Sequence, residues 1–222
     1  MASRRKQGPI KRVGRPVRSE SPEDVRRRLV AVARDLFAKR GFGEVGIREI
    51  ARAAEVTPGM ISYYFDDKLG LYEAMLASVF EEMLGRAREL ATRPADGTGP
   101  LAALIRLYIS TIASQPWVPA LLLREIVTGE SAARARFIER FASRVATLLP
   151  GLVAAEVAIG ELRDDLDARL CVLSLVGMSV FPFLAHPLAG KVLGYELDAA
   201  FAERLIDHTT RLFFAGARAV PR

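Results

Sequence analysis

The sequence predicts an all-α fold, and three observations carry that expectation. Apolar residues recur three and four positions apart over most of the 222 residues, the period of a helix with one buried face. Leu, Ala, Arg and Glu, all good helix formers, dominate the composition. Gly and Pro cluster between the periodic stretches, where they break one helix from the next. Hydrophobic residues make up 50% of the chain, enough for a sizeable core. At roughly 150 residues per domain the length allows one or two domains.

Charge is unevenly spread. Residues 1–70 hold 16 Lys and Arg against 9 Asp and Glu, a balance of +7, whereas residues 71–222 hold 16 against 17, a balance of −1. A basic front and a neutral back point the front at a polyanion. The single cysteine, Cys171, leaves no intramolecular disulfide and reads as a small buried side chain. His186 and His208 stand far apart without ligand spacing, so neither a metal nor a cofactor is expected. Nucleophile motifs, glycine-rich phosphate loops and paired carboxylates are lacking, which argues against an enzyme. The charged N-terminus has no apolar core of a secretory signal. Residues 170–190 carry no formal charge but are interrupted by Gly177, Pro182 and Pro187. They read as a helix buried on all sides rather than a membrane span, and the expected location is the cytoplasm.

Residues 1–20 hold seven basic residues before the first acid and no apolar pattern, as expected of a flexible arm. Gly14-Arg15-Pro16 resembles the Gly-Arg-Pro core of arms that place an extended arginine, here Arg15, in a narrow minor groove. Ser21-Pro22-Glu23-Asp24 is a helix start: a capping side chain, a proline at the first position, and acids at the positive end of the dipole. Val25, Leu29, Val32, Ala33, Leu36 and Phe37 continue that helix, and Gly41 ends it. A short helix over 47–54 comes next, with Ile47, Ile50, Ala51 and Ala54 inward. Thr57 is placed to cap the next helix, with Pro58 at its first position. Gly59 and Met60 then point outward, Ile61 and Phe65 inward, and Ser62, Tyr63 and Tyr64 to the sides. Helix, break and short second helix make the shape that enters a DNA major groove. Tyrosines there can donate to phosphate or stack on sugar, and Lys68 can hold a phosphate near the start of the following helix.

Residues 69–91 read as one long helix with a broad apolar face, and 92–100 as a turn-rich break. Further helices are expected from 101 to 112, from 117 to 127, and from 132 to 149. Pro150-Gly151 is expected to stop the third, and residues 152–160 to form a short helix. Arg124 and Glu125, within an apolar stretch, read as surface charges. The buried helix is expected over 167–184, a loop over 188–196, and a last helix through Phe201, Leu205, Ile206, Leu212 and Phe213. Two such helices per subunit suggest a four-helix interface in a homodimer.

Arg48-Glu49-Ile50-Ala51, Val56-Thr57-Pro58-Gly59, Tyr63-Tyr64-Phe65 and Lys68-Leu69-Gly70-Leu71 together resemble the signature of the TetR family of bacterial regulators, in its order and spacing over about fifty residues. The resemblance implies three N-terminal DNA-binding helices and about six more that bind a small molecule and dimerise. It places Arg48, Thr57, Pro58, Gly59, Met60, Tyr63, Tyr64 and Lys68 at or near DNA. Two positions depart from the pattern. Gly46 stands where the family has a capping Ser or Thr, and Ser62 where it often has a tyrosine. The expected domains are a basic arm (1–20), a helix-turn-helix head (21–68) and a sensing and dimerisation domain (69–222).

The resulting expectation is a dimeric repressor on double-stranded DNA, released from a palindromic operator by a hydrophobic or aromatic effector, with no membrane partner. Tyr108, Trp117, Phe141 and Met178 are the candidate effector contacts. The competing class is a dimeric architectural or partner-recruiting DNA-binding protein without a ligand.

Overall fold

A computed structural model describes residues 21–92, 99–127 and 132–219. The arm, with Arg15, lies outside the described residues. Helices α1 (Pro22–Arg40), α2 (Ile47–Ala53) and α3 (Pro58–Phe65) form the head, and α4 (Lys68–Thr92) leaves it as a 25-residue rod. Helices α5 (Pro100–Ser114), α6 (Trp117–Leu121), α7 (Ala132–Phe137), α8 (Ser143–Ala158), α9 (Ala168–Leu193) and α10 (Ala199–Ala217) build the rest. Two π-helical segments interrupt this pattern. Leu122–Val127 continues α6, and Ile138–Ala142 joins α7 to α8.

The caps explain several boundaries. The Ser21 hydroxyl accepts from the Asp24 amide while the Asp24 carboxylate accepts from the Ser21 amide, closing a capping box on α1. Gly41 ends α1 at φ 90°, where its amide donates to the Phe37 carbonyl. Asp167 caps α9 by accepting from the Arg169 and Leu170 amides, and Asp198 does the same for α10 through Phe201. Thr57 occupies the N-cap of α3, but its side chain makes no capping bond and is left facing out.

Two apolar clusters hold the chain together. The first joins Leu29, Phe37, Ile50, Ile61 and Phe65 of the head to Leu71, Tyr72, Met75 and Leu76 of α4. It also takes in Val118 and Leu121 of α6 and Phe141. The second gathers α5, α8, α9 and α10 around Ile105, Ile109, Val153, Leu175 and Phe213. The head is therefore cored partly by the long helix and by α6, across the boundary expected at residue 68.

Four expectations are corrected. Pro150 does not stop a helix: α8 runs through it to Ala158, because Leu152 and Val153 beyond the proline are buried and carry the packed face onward. Likewise α9 passes Pro182 and Pro187 and ends at Gly194, in left-handed conformation (φ 69°), so most of the expected loop at 188–196 is helical. Nor is α9 buried all round. Its buried residues, Cys171, Leu175, Ser179, Phe183 and Gly190, form one stripe, while Leu170, Leu173, Phe181, Leu188, Val192 and Leu193 are exposed. Arg124 is no surface charge. Its guanidinium donates to the carbonyls of Phe37 (2.6 Å), Ala38 (3.0 Å) and Lys39 (3.3 Å) at the end of α1.

Candidate nucleic-acid interface and effector cavity

The head presents α3 outward. Ile61 and Phe65 are buried beneath it, which leaves Thr57, Pro58, Gly59, Ser62 and Tyr63 exposed and Met60 and Tyr64 half-buried. Tyr63 is 77% exposed and meets Tyr64 edge-on at 4.9 Å, which holds the pair upright beside the helix. Nothing lies within 4 Å of where a Gly59 side chain would begin, so its surface is open for close approach of another molecule. Arg48 is exposed on α2, and among the described residues it has no ion-pair partner. Arg52, one turn on, is in the same state, and its i,i+4 spacing from Arg48 was the signal that could have drawn attention to it. Eight of the expected head contacts thus lie on α2 and α3 or at the N-cap of α3.

Lys68 is placed differently. Its ammonium donates to the carbonyls of Phe42 (2.9 Å) and Val45 (3.1 Å) and sits 4.3 Å from the centre of the Phe42 ring. It is half-buried and braces the α1–α2 corner instead of extending toward a phosphate. Behind it, Gly70 is required by space: a Cβ there would lie 2.0 Å from the Phe65 carbonyl oxygen. Gly46 opens α2 without a side-chain cap, as its lack of a hydroxyl dictates.

Above the head, α4, α5, α7, α8 and α9 enclose a cavity of about 660 Å³. Phe80, Ile105, Phe137, Phe141, Val145 and Val176 give it an apolar wall. Its polar side chains are few: the Tyr108 hydroxyl, Ser179 and the Arg169 guanidinium. Burial pushes the Tyr108 phenol up to about 12, so it is a neutral donor at physiological pH. Among the described residues its hydroxyl has no hydrogen-bond partner. Arg169 is exposed and likewise lacks an ion-pair partner among them.

Two of the four expected effector contacts, Tyr108 and Phe141, line this cavity. Trp117 does not: its indole donates to the Gln115 side chain (2.7 Å) and packs toward the head-side cluster. Met178 packs against the second cluster outside the lining. Arg169 was missed because an arginine in a first helical turn reads as ordinary surface.

Comparisons with known proteins agree with this geometry. Residues 29–75 match the model of the bacterial regulatory proteins of the TetR family. Residues 98–217, more than half of the chain, match that of the C-terminal domain of the HTH-type transcriptional dual regulator CecR. The HTH-type transcriptional repressor KstR2 of Rhodococcus jostii is 26% identical over 145 residues, 65% of this chain and 71% of that protein. The HTH-type transcriptional regulator RutR of Escherichia coli K12 is 28% identical over 219 residues, 96% of this chain and 98% of its own. The fold is also that of the transcriptional regulator FadR from Bacillus subtilis, solved in complex with stearoyl-CoA. That match has a TM-score of 0.65 at 18% identity and covers 82% of this chain and 96% of FadR. With a matching head, a matching C-terminal domain and the fold of these regulators, the chain belongs to the TetR family of bacterial transcriptional regulators.

Proposed function

We propose that this chain is a dimeric repressor that leaves its operator when an apolar effector with an anionic end enters the C-terminal cavity. The observation that carries the reading is the place of α4. Its first turn braces the head through Lys68, and further along Phe80, Met83, Leu84 and Ala87 form one wall of the cavity. A ligand that repacks that wall acts on the helix that positions α3. Operator contacts are assigned to Arg48, Thr57, Pro58, Gly59, Met60, Ser62, Tyr63 and Tyr64. Arg15 of the arm supplies the flanking minor-groove contact. Lys68 acts as a brace.

The lining supports this choice of effector class. A wall this apolar favours a hydrocarbon or ring body, and Arg169, the one charged residue among the described lining residues, favours a carboxylate or phosphate near the mouth. Stearoyl-CoA, the ligand solved with Bacillus subtilis FadR, combines both features. Dimerisation is assigned to α9 and α10, whose exposed Leu170, Leu173, Phe181, Leu188 and Leu212 would otherwise face water. Two described helical stretches, Ala132–Ala158 and Ala168–Leu193, are long and apolar enough to cross a membrane. Arg140 and Arg144 in the first are instead paired to Glu73 and Glu81 of α4, which supports packing within the protein. An operator-binding role places the chain in the bacterial cytoplasm.

Selection of duplexes from a random pool by the full-length protein is the direct test. The expected outcome is a palindrome with half-sites about 34–36 Å apart, bound much less tightly by Tyr63→Ala. Failure to enrich any duplex would remove the DNA reading. Stearoyl-CoA should raise the melting temperature of the parent and less so that of Arg169→Ala. Absence of a shift in the parent would remove the acyl-thioester class and leave DNA binding untouched.

A further inference from the structure

Arg124 stands where the cavity meets the head. It belongs to the π-helical segment Leu122–Val127, and Leu122, two residues earlier, lines the cavity. Its guanidinium crosses to the other end of the first cluster and donates to three successive carbonyls, those of Phe37, Ala38 and Lys39. These carbonyls lie in the last turn of α1, at the negative end of its dipole, and that of Phe37 also accepts from the Gly41 amide. The adjoining corner is gripped from the other side, where Lys68 donates to Phe42 and Val45. Two cations, one from the sensing region and one from α4, thus hold the turn between α1 and α2. Within that grip Phe37 meets Tyr72 of α4 edge-on at 5.4 Å, and Arg40 pairs with Glu49 of α2 at 2.5 Å. This corner leads directly into α2, which packs against α3.

We propose that Arg124 is the positioning residue through which occupancy of the apolar cavity reaches the DNA-binding head. A π turn carries one residue more than the α turn it replaces, and such turns recur at functional sites. Repacking of Leu122 by a ligand would let this segment tighten. A shift of one residue rotates the remainder of the helix by about 100° around its axis, enough to lift the guanidinium from its carbonyls. The second π segment, Ile138–Ala142, carries Phe141 and Ala142 on the facing cavity wall, so both sides of the cavity contain a turn of this kind. The inference rests on the effector-cavity reading for its biological meaning, but its test uses neither effector nor DNA.

The test is hydrogen–deuterium exchange, monitored on the peptide spanning residues 37–47 in the full chain. Arg124→Gln is expected to speed exchange there about tenfold, and Arg124→Lys, which keeps the charge but not the fork that spans three carbonyls, by less. Filling the cavity from within by Ala142→Phe should speed the same amides in the parent background. In the Arg124→Gln background it should add nothing further, because the link is already cut. A second filling variant, Ala87→Leu on the α4 wall, should behave alike and guards against a folding defect peculiar to the first. Unchanged exchange in Arg124→Gln overturns the proposal. So do independent, additive effects of the filling and Arg124 substitutions, or filling variants that are both silent at the corner. A merely structural arginine would give the additive result.

Discussion

A methyl group at Gly70 would have to occupy the space of the Phe65 carbonyl, a backbone atom that cannot step aside alone. Gly70→Ala should therefore cost about 1–3 kcal/mol, read as a lower urea midpoint with an unchanged slope. Gly59→Ala meets nothing within 4 Å and should leave stability near the parent or slightly above it, since alanine is the better helix former. Its cost should fall on DNA binding, where the added methyl keeps α3 from seating as deeply. Glu156 gives a residue-scale dependence on pH. It is buried against the start of α5, where it accepts from the Leu101 amide at 3.0 Å, and burial raises its pKa above the usual carboxylate value. The folded state then holds the proton more tightly than the unfolded state, so this group's contribution falls as pH rises from the unfolded value through the raised folded one. Glu156→Gln keeps an acceptor oxygen and removes the titration. The melting-temperature difference between variant and parent should grow in the variant's favour as pH rises from the ordinary carboxylate value and level off above the raised folded one. A constant difference would show that Glu156 titrates normally in the fold. Neither role was legible beforehand: spacing revealed which residues Thr57–Tyr64 turn outward, but not that a glutamate 55 positions away caps α5, nor that the α1–α2 corner folds over Lys68.

At the scale of elements, caps made the starts readable and prolines made the ends misleading. Ser21, Asp167 and Asp198 carry their capping signal in a side chain. Pro150, Pro182 and Pro187 signal a break that buried residues on the same helices overrule. The long apolar run in α9 reads as a helix buried on all sides, yet only one stripe of it is buried, because hydrophobicity alone does not say which faces are covered. Its exposed Phe181, at 66%, lies well away from the buried Leu175–Ser179–Phe183 stripe. A carboxylate placed there should split the proposed dimer. Burying one such ring contributes about 1.5–3 kcal/mol, and two-fold symmetry counts it twice, so Phe181→Glu should raise the dimer Kd at least about a hundredfold. Sedimentation at micromolar concentration should show a dimeric parent and a monomeric, still helical variant. A parent that sediments as a monomer removes the assigned interface.

At the scale of the whole molecule, α4 is tied to the cavity's far side as well as to the head. Arg136 and Arg140 reach Glu73 at 3.1 and 3.4 Å, and Arg144 reaches Glu81 at 3.0 Å, a ladder running alongside the π segment at 138–142. Each exposed pair contributes little alone, but together they keep α4 in register with α7 and α8, so a ligand that moves those helices moves the lever. If effector and operator select different arrangements of that lever, each must weaken the other by the same factor, typically about 5–150-fold. The operator's Kd measured against rising stearoyl-CoA should therefore climb and then reach a plateau at that factor. The Kd of stearoyl-CoA measured with saturating operator should rise by an equal amount. A ligand that merely covered the DNA face would give no plateau, because exclusion has no ceiling and the apparent Kd would keep rising in proportion to ligand. A plateau with matching factors locates the effector away from the exposed Thr57–Tyr64 surface and in a site that communicates with it. A continued linear rise would place the ligand on α3 itself and leave the 660 Å³ cavity without a part in release.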